Sequence, residues 1–284
     1  MNHDFLNRIL KESLGSEVDV TEFKTLGGGC INNAMKLETS HGPFFIKVNK
    51  NVPDDFFPIE EQSLDFLDKY YPGSVPKPIS SGSNFLLTEF IESGAKRTDY
   101  WKSLGENLAE LHQESNSHFG LNFSNYIGSL NQSNQQHESW IEFFIHERLG
   151  KQISLAKEKD LGDQASWKSF EKLIPKLESL IPEEKPALIH GDLWSGNLMV
   201  DSNGLPALID PAIYFGHREM DLAFTQLFGG FDRTYLDVYN ENYPLEPGFY
   251  ERIDLHNLYP LLVHLNLFGN SYLGQIKGIL SRFI

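Results

Sequence analysis

The chain has 284 residues, of which 40% are hydrophobic and 22% are charged, a composition typical of a globular protein with a buried core. Its formal net charge is −15, and because an acidic surface repels phosphate backbones, nucleic acid is excluded as an expected partner. The one cysteine, Cys30, can form neither an internal disulfide nor a cysteine-based metal site. The sequence has no apolar run of about 18 residues and no uncharged signal-peptide core, so we expect a cytoplasmic protein with no membrane partner.

The first third of the sequence combines strand patterns with two helical patterns. Residues 3–14 place apolar side chains at helical spacing and predict a short amphipathic helix. A second helix is predicted at 58–70, where a proline near the start and acidic residues in the first turn favour a helix amino terminus. The segment 72–83 is rich in proline, glycine and serine and predicts a loop. Strands, the first three in an antiparallel arrangement, are predicted at 18–25, 31–39, 44–50 and 84–92.

The sequence after residue 92 is mainly helical. Ser93 and Gly94 interrupt the last predicted strand, so we place a boundary there between a small β-rich lobe, residues 1–92, and a larger helical lobe, residues 93–284. Within the second lobe, residues 186–211 form a short β-rich segment with polar residues between apolar runs. Helices are predicted at 98–114, 137–159, 164–180, 218–228, 231–240, 248–265 and 268–283.

The β-rich segment carries the densest set of polar residues in the chain. Asp192 and Asn197 are five residues apart, and Asp210 follows Asp192 by 18. The turn at 201–204 lies between two apolar runs and predicts a hairpin, which folds Asp210 back beside Asn197. Carboxylate and amide oxygens suit Mg²⁺, and a carboxylate kept off the metal can accept a proton from a hydroxyl. Each residue alone is better explained as a turn residue, but the three at this spacing predict metal-assisted phosphoryl transfer.

Several strings in the chain resemble a known family. His190-Gly191-Asp192 with Asn197 resembles the catalytic loop shared by protein kinases, aminoglycoside phosphotransferases and choline kinases. The strings HGDLWSGN, IDPAIYFGHREMDLA, GGGCIN and FFIKVN together resemble the fructosamine kinase (ketosamine-3-kinase) family, over about residues 20 to 275. This resemblance implies an α+β, protein-kinase-like fold with an antiparallel β N-lobe that binds the nucleotide and a mainly helical C-lobe. It also implies ATP and Mg²⁺ as cofactors.

The resemblance assigns roles to individual residues. Asp192 is implied as the catalytic base, and Asn197 and Asp210 as magnesium ligands. Lys47, on the third strand, is implied to bind phosphate and to pair with Glu60, although the adjacent Glu61 leaves that register open. Pro211 and Ala212 replace the Phe-Gly of protein kinases, so we expect no flipping switch. The other predicted contacts are Gly27, Gly28, Gly29 and Cys30 over the phosphates, Glu89, Phe90 and Ile91 at the adenine, and Trp194, Tyr214, His217 and Arg218 around the acceptor.

Some of these residues have equally ordinary interpretations. A lysine on a strand is usually solvated, and His217 and Arg218 are as typical of a solvated surface as of a pocket. His112 and Asp221 are predicted to support the catalytic loop. A single cysteine is usually a small buried hydrophobe. Because Cys30 lies in a glycine-rich turn, we hypothesise that its oxidation lowers activity, and we expect either a monomer or a dimer linked through Cys30.

The implied activity is transfer of the γ-phosphoryl group of ATP to the 3-hydroxyl of a fructosamine or other ketosamine, free or protein-bound. Such a 3-phosphate decomposes readily, so the activity is one of deglycation or repair. One alternative is another small-molecule kinase of the same fold, acting on an aminoglycoside, choline or homoserine. A second is a pseudokinase that binds nucleotide without turnover, which is disfavoured because every expected catalytic position is filled.

Overall fold

The structure is a computed structural model that describes residues 3–15, 18–27 and 32–284. Its contacts divide the chain into two compact units. The first consists of Met1–Tyr100 with Leu198–Pro211, and the second of Trp101–Asn197 with Ala212–Ile284. The predicted lobe boundary between residues 92 and 93 stays a prediction. None of the helices in the described ranges combines the length and hydropathy needed to cross a membrane.

A five-stranded antiparallel sheet, as far as the described residues go, organises the first unit in the order β1-β2-β3-β5-β4. The predicted antiparallel arrangement is therefore confirmed. The predicted loop at 72–83 is partly wrong, because its last residues form the edge strand β4, where Pro78 loses no internal hydrogen bond. The strands are β1 Val20–Leu26, β2 Asn33–Thr39, β3 Gly42–Val48, β4 Pro78–Gly82 and β5 Phe85–Glu89.

Two helices complete the core of this unit. Helix α1, His3–Leu14, buries Leu6, Ile9 and Leu10 in the same hydrophobic cluster as Ile46 of β3. Helix α2, Phe56–Tyr70, begins two residues before the predicted helix and buries its apolar face. Burial of these apolar side chains is the main favourable term that holds the helices on the sheet.

The predicted hairpin of the β-rich segment is confirmed and belongs to the first unit. Strands β9, Leu198–Val200, and β10, Pro206–Leu208, pair antiparallel. Asp201 closes their turn because one carboxylate oxygen accepts hydrogen bonds from the backbone N–H groups of Asn203 and Leu205 at 2.9 and 2.7 Å. The hairpin is anchored within the unit by Leu208, whose N–H donates to the carbonyl of Ser74 at 2.7 Å.

The second unit is mainly helical and packs around the long helix α10, most of whose residues are buried. The π-helical segment Phe144–Gly150 joins α4 to α5. The α-helices of the second unit are α3 Tyr100–Gln113, α4 Trp140–Phe143, α5 Lys151–Glu158, α6 Gln164–Leu173, α7 Leu177–Leu180, α8 Glu219–Leu227, α9 Thr234–Asn242, α10 Phe249–Phe268 and α11 Leu273–Phe283. Two strand pairs accompany them, β6 Asn125–Ile127 with β7 Leu130–Gln132, and β8 Ala187–Ile189 with β11 Tyr214–Gly216.

The pair β6 and β7 was not predicted, and it carries buried amides rather than a hydrophobic face. Asn125 donates to the carbonyl of Ile213 at 2.8 Å, and Gln132 donates to the carbonyl of Ala212 at 3.0 Å. Because buried amides must find hydrogen-bond partners, these side chains fix the segment that follows Asp210 and Pro211 in the chain.

Helix α3 approaches α9 through Gly105. A Cβ at this position would lie 2.3 Å from the carbonyl oxygen of Tyr235, so alanine requires the helices to separate. We expect Gly105→Ala to lower the free energy of unfolding by about 1–3 kcal/mol, the usual effect of overpacking. Gly278→Ala in α11 is the matched control, because a Cβ there meets nothing within 4 Å and alanine favours helix. Urea denaturation of both variants measures the difference, and an equal effect of the two would contradict this packing.

Candidate active site

Strand β3 places Lys47 at the centre of a buried ion-paired cluster. Its Nζ lies 2.5 Å from Oε1 of Glu60, in the first turns of α2, and 2.6 Å from Oδ1 of Asp210, which follows β10. Glu60, not Glu61, is therefore the partner of Lys47. Glu61 instead accepts a hydrogen bond from the Ser81 hydroxyl. The alternative of a solvated strand lysine is wrong, since Lys47 is only 7% exposed. The predicted pairing of Lys47 with Glu60 is thus present, and Asp210 joins the same cluster, a contact that the sequence did not predict.

The electrostatics of this cluster favour a cationic lysine and leave an excess of negative charge. Burial opposes the charge of Lys47, but the carboxylates of Asp210 and Glu60 outweigh it and raise its pKa. Burial, together with the nearby charge of Asp210, raises the pKa of Glu60. Two carboxylates therefore share one ammonium group, an arrangement that a further cation would stabilise.

Asp210 has an unusual backbone conformation. Its φ is 55°, in the left-handed region that residues other than glycine rarely adopt. The residue before a proline normally takes an extended conformation, so Pro211 makes this geometry more costly. Strained residues of this kind concentrate at functional sites. The Asp210 side chain is 46% exposed, so the carboxylate stays accessible to solvent while one oxygen holds Lys47.

In the second unit, the backbone of the catalytic loop is held by Asp221 of α8. Its carboxylate accepts hydrogen bonds from the N–H groups of His190 and Gly191 at 2.7 and 2.8 Å. His112 Nε2 lies 3.3 Å from the same carboxylate, so both predicted supports of the loop are in place. Gly191 has a φ of 81°, and a Cβ there would lie 2.1 Å from the carbonyl oxygen of Ala212, so only glycine fits.

Asn197 fixes the side chain of Asp192. Its Nδ2 donates to Oδ2 of Asp192 at 2.8 Å and to the backbone carbonyl of Asp192 at 2.9 Å. With both amide protons used, the Asn197 carbonyl oxygen remains available as a ligand atom. Trp194 packs on Gly196, where a Cβ would lie 2.2 Å from the indole ring. The string HGDLWSGN thus builds one tight loop in which Asp192, Trp194 and Asn197 have fixed positions.

Three of the predicted acceptor contacts are corrected by their burial. Tyr214 and His217 are fully buried, and burial lowers the pKa of His217 to about 4. Arg218 is 3% exposed and donates to both carboxylate oxygens of Glu184. Because their side chains are hidden and Arg218 is already paired, we assign Tyr214, His217 and Arg218 to support of the unit rather than to acceptor contact.

His217 also belongs to a buried group that superficially resembles a metal site. Its ligand atom lies within 4.8 Å of those of Glu219 and His256, which is the one such group among the described residues. However, Arg252 donates to both oxygens of Glu219, at 2.9 and 2.6 Å, and His256 lies 3.1 Å from one of them. The Arg252 guanidinium thus supplies the positive charge that a metal would bring, and we interpret the group as a structural ion-pair network.

Sequence reasoning missed Arg148, which lies in the π-helical segment and is fully buried. Its guanidinium sits 3.8 Å from the centre of the Tyr214 ring and donates to Asn134 and to the carbonyl of Ser133. Tyr214 is on β11, which pairs with β8 immediately before the catalytic loop. A lone arginine within a helical pattern gives no sign of this role in the sequence.

The predicted nucleotide contacts are placed only in part. Gly27 is exposed after β1, whereas Gly28, Gly29 and Cys30 lie outside the described residues. Glu89, Phe90 and Ile91 line a cavity of about 420 Å³, together with residues that precede β4 and residues of the β9–β10 hairpin. Lys47, Glu60 and Asp210 do not line it, so the cavity is separate from the ion-paired cluster. An adenine contact at Glu89 and Ile91 stays a prediction.

Comparisons with known proteins agree with this geometry. A sequence model described as fructosamine kinase matches residues 3–284. The chain is 36% identical over 280 residues to a probable ketoamine kinase of Synechocystis sp., covering 96% of this chain and 94% of that protein. It is 35% identical over 281 residues to the chloroplastic protein-ribulosamine 3-kinase of Arabidopsis thaliana, covering 95% and 85%.

Two solved structures are similar to this one. A Thermobifida fusca protein described as a fructosamine-3-kinase superposes with a TM-score of 0.88 at 31% identity, over 98% of both chains. A choline kinase of Streptococcus pneumoniae superposes with a TM-score of 0.65 at 16% identity, over 98% of this chain and 100% of that one, which shows a shared fold. The predicted α+β, protein-kinase-like fold is confirmed.

The Glu219–Arg252 pair predicts an acid-sensitive contribution to stability. Burial opposes ionisation, but hydrogen bonds from Arg252 and His256 lower the pKa of Glu219 from 4.5 to about 2. A carboxyl whose pKa is lowered by folding stabilises the folded state above its unfolded value, so this contribution is present above pH 4.5 and lost as the pH falls towards 2. At neutral pH it is worth about 3 kcal/mol.

Unfolding of the wild type and of Glu219→Gln across this pH range measures the contribution. We expect Glu219→Gln to be the less stable protein at neutral pH, because it removes the carboxylate that pairs with the buried guanidinium of Arg252. The difference in unfolding free energy should narrow steadily below pH 4.5. A difference that stays constant down to the acid-unfolding limit would show that folding does not lower the pKa of Glu219.

Proposed function

Because the chain belongs to the fructosamine kinase family, we propose that it transfers the γ-phosphoryl group of ATP to the 3-hydroxyl of a ketosamine, free or protein-bound. The observation that carries the proposal is the ammonium group of Lys47, held by Glu60 and Asp210. Burying a lysine with two carboxylates has a large desolvation cost, which makes the group a candidate functional site, and phosphate oxygens are the natural partner of its ammonium group.

In this proposal Lys47 binds the phosphates of ATP. Its raised pKa keeps it charged throughout the physiological range, so its affinity for phosphate does not depend on pH there. Glu60 stays in place as a partner and fixes the ammonium group in position. Gly27 and the glycines that follow it would cover the phosphates, and the backbone of Glu89 and Ile91 would contact the adenine.

The side chains of Asn197 and Asp210 fit a magnesium ion by the chemistry of their donors. Asn197 offers a carbonyl oxygen whose orientation is set by its amide protons, and Asp210 offers an accessible carboxylate. Mg²⁺ prefers hard oxygen ligands and few protein contacts, and the negative charge beside Lys47 is in excess. The bound ion would neutralise charge on the phosphates during transfer.

Asp192 is the proposed general base. Asn197 donates a hydrogen bond to Oδ2 of Asp192 and so restrains the carboxylate that would take up the proton of the acceptor hydroxyl. The catalytic contribution of the loop is then mainly positioning, which depends on the rigid backbone that Asp221 provides. We retain Trp194 as an acceptor contact, because it is half-buried and follows Asp192 by two residues.

The proposed acceptor class is supported by the relatives, which are named as a ketoamine kinase and a protein-ribulosamine 3-kinase. Phosphate on the 3-hydroxyl makes a ketosamine prone to eliminate, which releases the amine. The reaction would therefore reverse glycation. Cytoplasmic location and the redox role of Cys30 stay predictions.

An acceptor panel tests the substrate class. The protein with Mg²⁺ and ATP is incubated with a fructosamine, a ribulosamine, an aminoglycoside, choline and homoserine, and ATP consumption is followed. We expect turnover of the ketosamines only, and phosphorus NMR of the product should place the phosphate on the 3-hydroxyl. Turnover of an aminoglycoside or choline with none of a ketosamine would overturn the proposed acceptor.

The role of Asp192 is tested by Asp192→Asn. Loss of a general base should lower kcat by about 10²–10⁴-fold, while KM for ATP changes little, because Asp192 is not proposed to bind the nucleotide. Asp237→Asn is the matched control: it is another aspartate of the second unit, it lies on α9, and its carboxylate is 57% exposed beside the exposed Arg233. Full activity of Asp192→Asn would mean that Asp192 is not the base.

A further inference from the structure

A group of aromatic side chains in the second unit lies beside the catalytic loop. We define the aromatic cluster as Trp194, Phe228, His264, Phe268 and Tyr272. We propose that it is the subsite for the amine-bearing end of the acceptor, with Nε2 of His264 as the hydrogen-bond acceptor for the amine N–H. This inference rests on the proposed function and deepens it, because it assigns residues that distinguish a ketosamine from a neutral sugar.

The cluster is continuous from one ring to the next. Trp194 meets Phe228 edge-to-face at 6.3 Å between ring centres, and Phe228 lies 4.9 Å from His264. His264 lies 5.5 Å from Phe268 and 5.1 Å from Tyr272. These separations are those of interacting aromatic pairs, so the five rings form one surface.

This surface is open to solvent where soluble proteins usually hide aromatic rings. Phe228 is 41% exposed and Phe268 is 49% exposed, which makes them two of the few large hydrophobic side chains that are exposed in the described part of the chain. Contiguous exposed apolar rings mark binding sites more often than isolated ones do. Aromatic faces attract cations, and the aliphatic amine of a ketosamine is largely protonated at neutral pH.

His264 supplies a directional contact within the cluster. Its Nδ1 lies 2.7 Å from the carbonyl oxygen of Pro260, which can only accept, so Nδ1 carries the proton. Nε2 is therefore a lone-pair acceptor, and it makes no hydrogen bond among the residues that the structure describes. Burial lowers the pKa of His264, which favours the neutral ring. A neutral imidazole can accept a hydrogen bond from an ammonium group without charge repulsion.

The position of the cluster matches the chemistry of the acceptor. The backbone N–H of Trp194 donates to the backbone carbonyl of Asp192 at 3.1 Å. The first ring of the cluster therefore follows the proposed base within one tight turn. Gly230, two residues after Phe228, packs on Ser195, where a Cβ on the glycine would lie 2.6 Å from the serine Cβ. In a ketosamine the amine is separated from the 3-hydroxyl by a short carbon chain. An amine subsite must therefore adjoin the base, as this cluster does.

Equilibrium binding tests the inference independently of turnover. Calorimetric titrations use the protein saturated with Mg²⁺ and a non-hydrolysable ATP analogue. The two ligands are a secondary-amine fructosamine and its ether analogue, in which oxygen replaces the nitrogen. We expect the wild type to bind the amine about 10-fold more tightly than the ether. The double variant Phe228→Leu with Phe268→Leu keeps apolar bulk, and its ratio of amine to ether affinity should fall close to one. His264→Leu should lower the affinity for the amine by several-fold.

Matched variants separate this effect from a general loss of structure. Tyr250→Leu removes an exposed aromatic ring outside the cluster and should leave the ratio unchanged. Phe228→Tyr with Phe268→Tyr keeps both aromatic faces and should retain the ratio. The affinity for the ATP analogue should stay the same in all variants, which shows that the fold and the nucleotide site are intact.

The outcomes distinguish this inference from the proposed function. If the variants keep the wild-type ratio of amine to ether affinity, or if the wild type binds neither ligand, the inference is overturned. If they impair only the turnover of a glycated protein and not the binding of the small amine, the cluster is a protein-docking surface and the inference is again overturned. If the wild type binds the amine selectively but transfers no phosphate, the proposed function fails while the amine subsite stands.

Discussion

The first unit depends on one interaction, the sharing of the Lys47 ammonium group by Glu60 and Asp210. This contact joins a central strand, a helix and the segment after the hairpin, which are distant in sequence. A buried lysine without partners would be very unfavourable, so the three elements must be in register for the unit to be stable. The same requirement places a cation where phosphate can be bound. Stability and proposed function therefore rest on the same charge balance.

In the second unit, hydrogen bonds from buried side chains hold the polar loop of residues 190–197 rigid. Asp221 accepts hydrogen bonds from two successive backbone N–H groups, and Asn197 fixes the carboxylate of Asp192. The buried amides Asn125 and Gln132 hold the segment that follows Asp210 and Pro211. The hydrogen bonds that fix this arrangement are all made inside the unit. A loop built in this way keeps its geometry without a ligand, which lowers the entropy that binding must overcome.

Much of the fold and the central residues of the site could be predicted from the sequence, because they follow local rules. The hairpin follows from a turn between apolar runs, and the Lys47 strand from alternation. The family resemblance indicated Glu60 as the partner of Lys47 but left Glu61 open, because both lie in the same helical turn and only the structure sets which one faces the sheet. Strand β4 was missed because proline, glycine and serine are typical of loops, yet an edge strand tolerates them.

The burial of Tyr214, His217 and Arg218 shows a different limit of prediction from sequence. Arg218 has its partner Glu184 34 residues away, and sequence spacing cannot distinguish a buried ion pair from a pocket lining. The aromatic cluster was missed for the related reason that Phe228 follows α8 whereas His264 lies on α10, far away in the sequence. Such contacts depend on tertiary packing, which no local pattern encodes. The family resemblance indicated the neighbourhood of the proposed acceptor site but not which of its side chains are buried.

The two hydrogen bonds from the Asn197 amide to Asp192 restrict what evolution can place at this position. Aspartate has nearly the same shape and would be the stronger ligand for a divalent ion. However, it cannot donate a hydrogen bond, and its charge would repel the carboxylate that asparagine holds. Only a side chain that donates at one end and accepts at the other serves both neighbours. A gain in metal affinity at residue 197 would therefore come at the expense of the proposed base, which is consistent with the neutral residue found there.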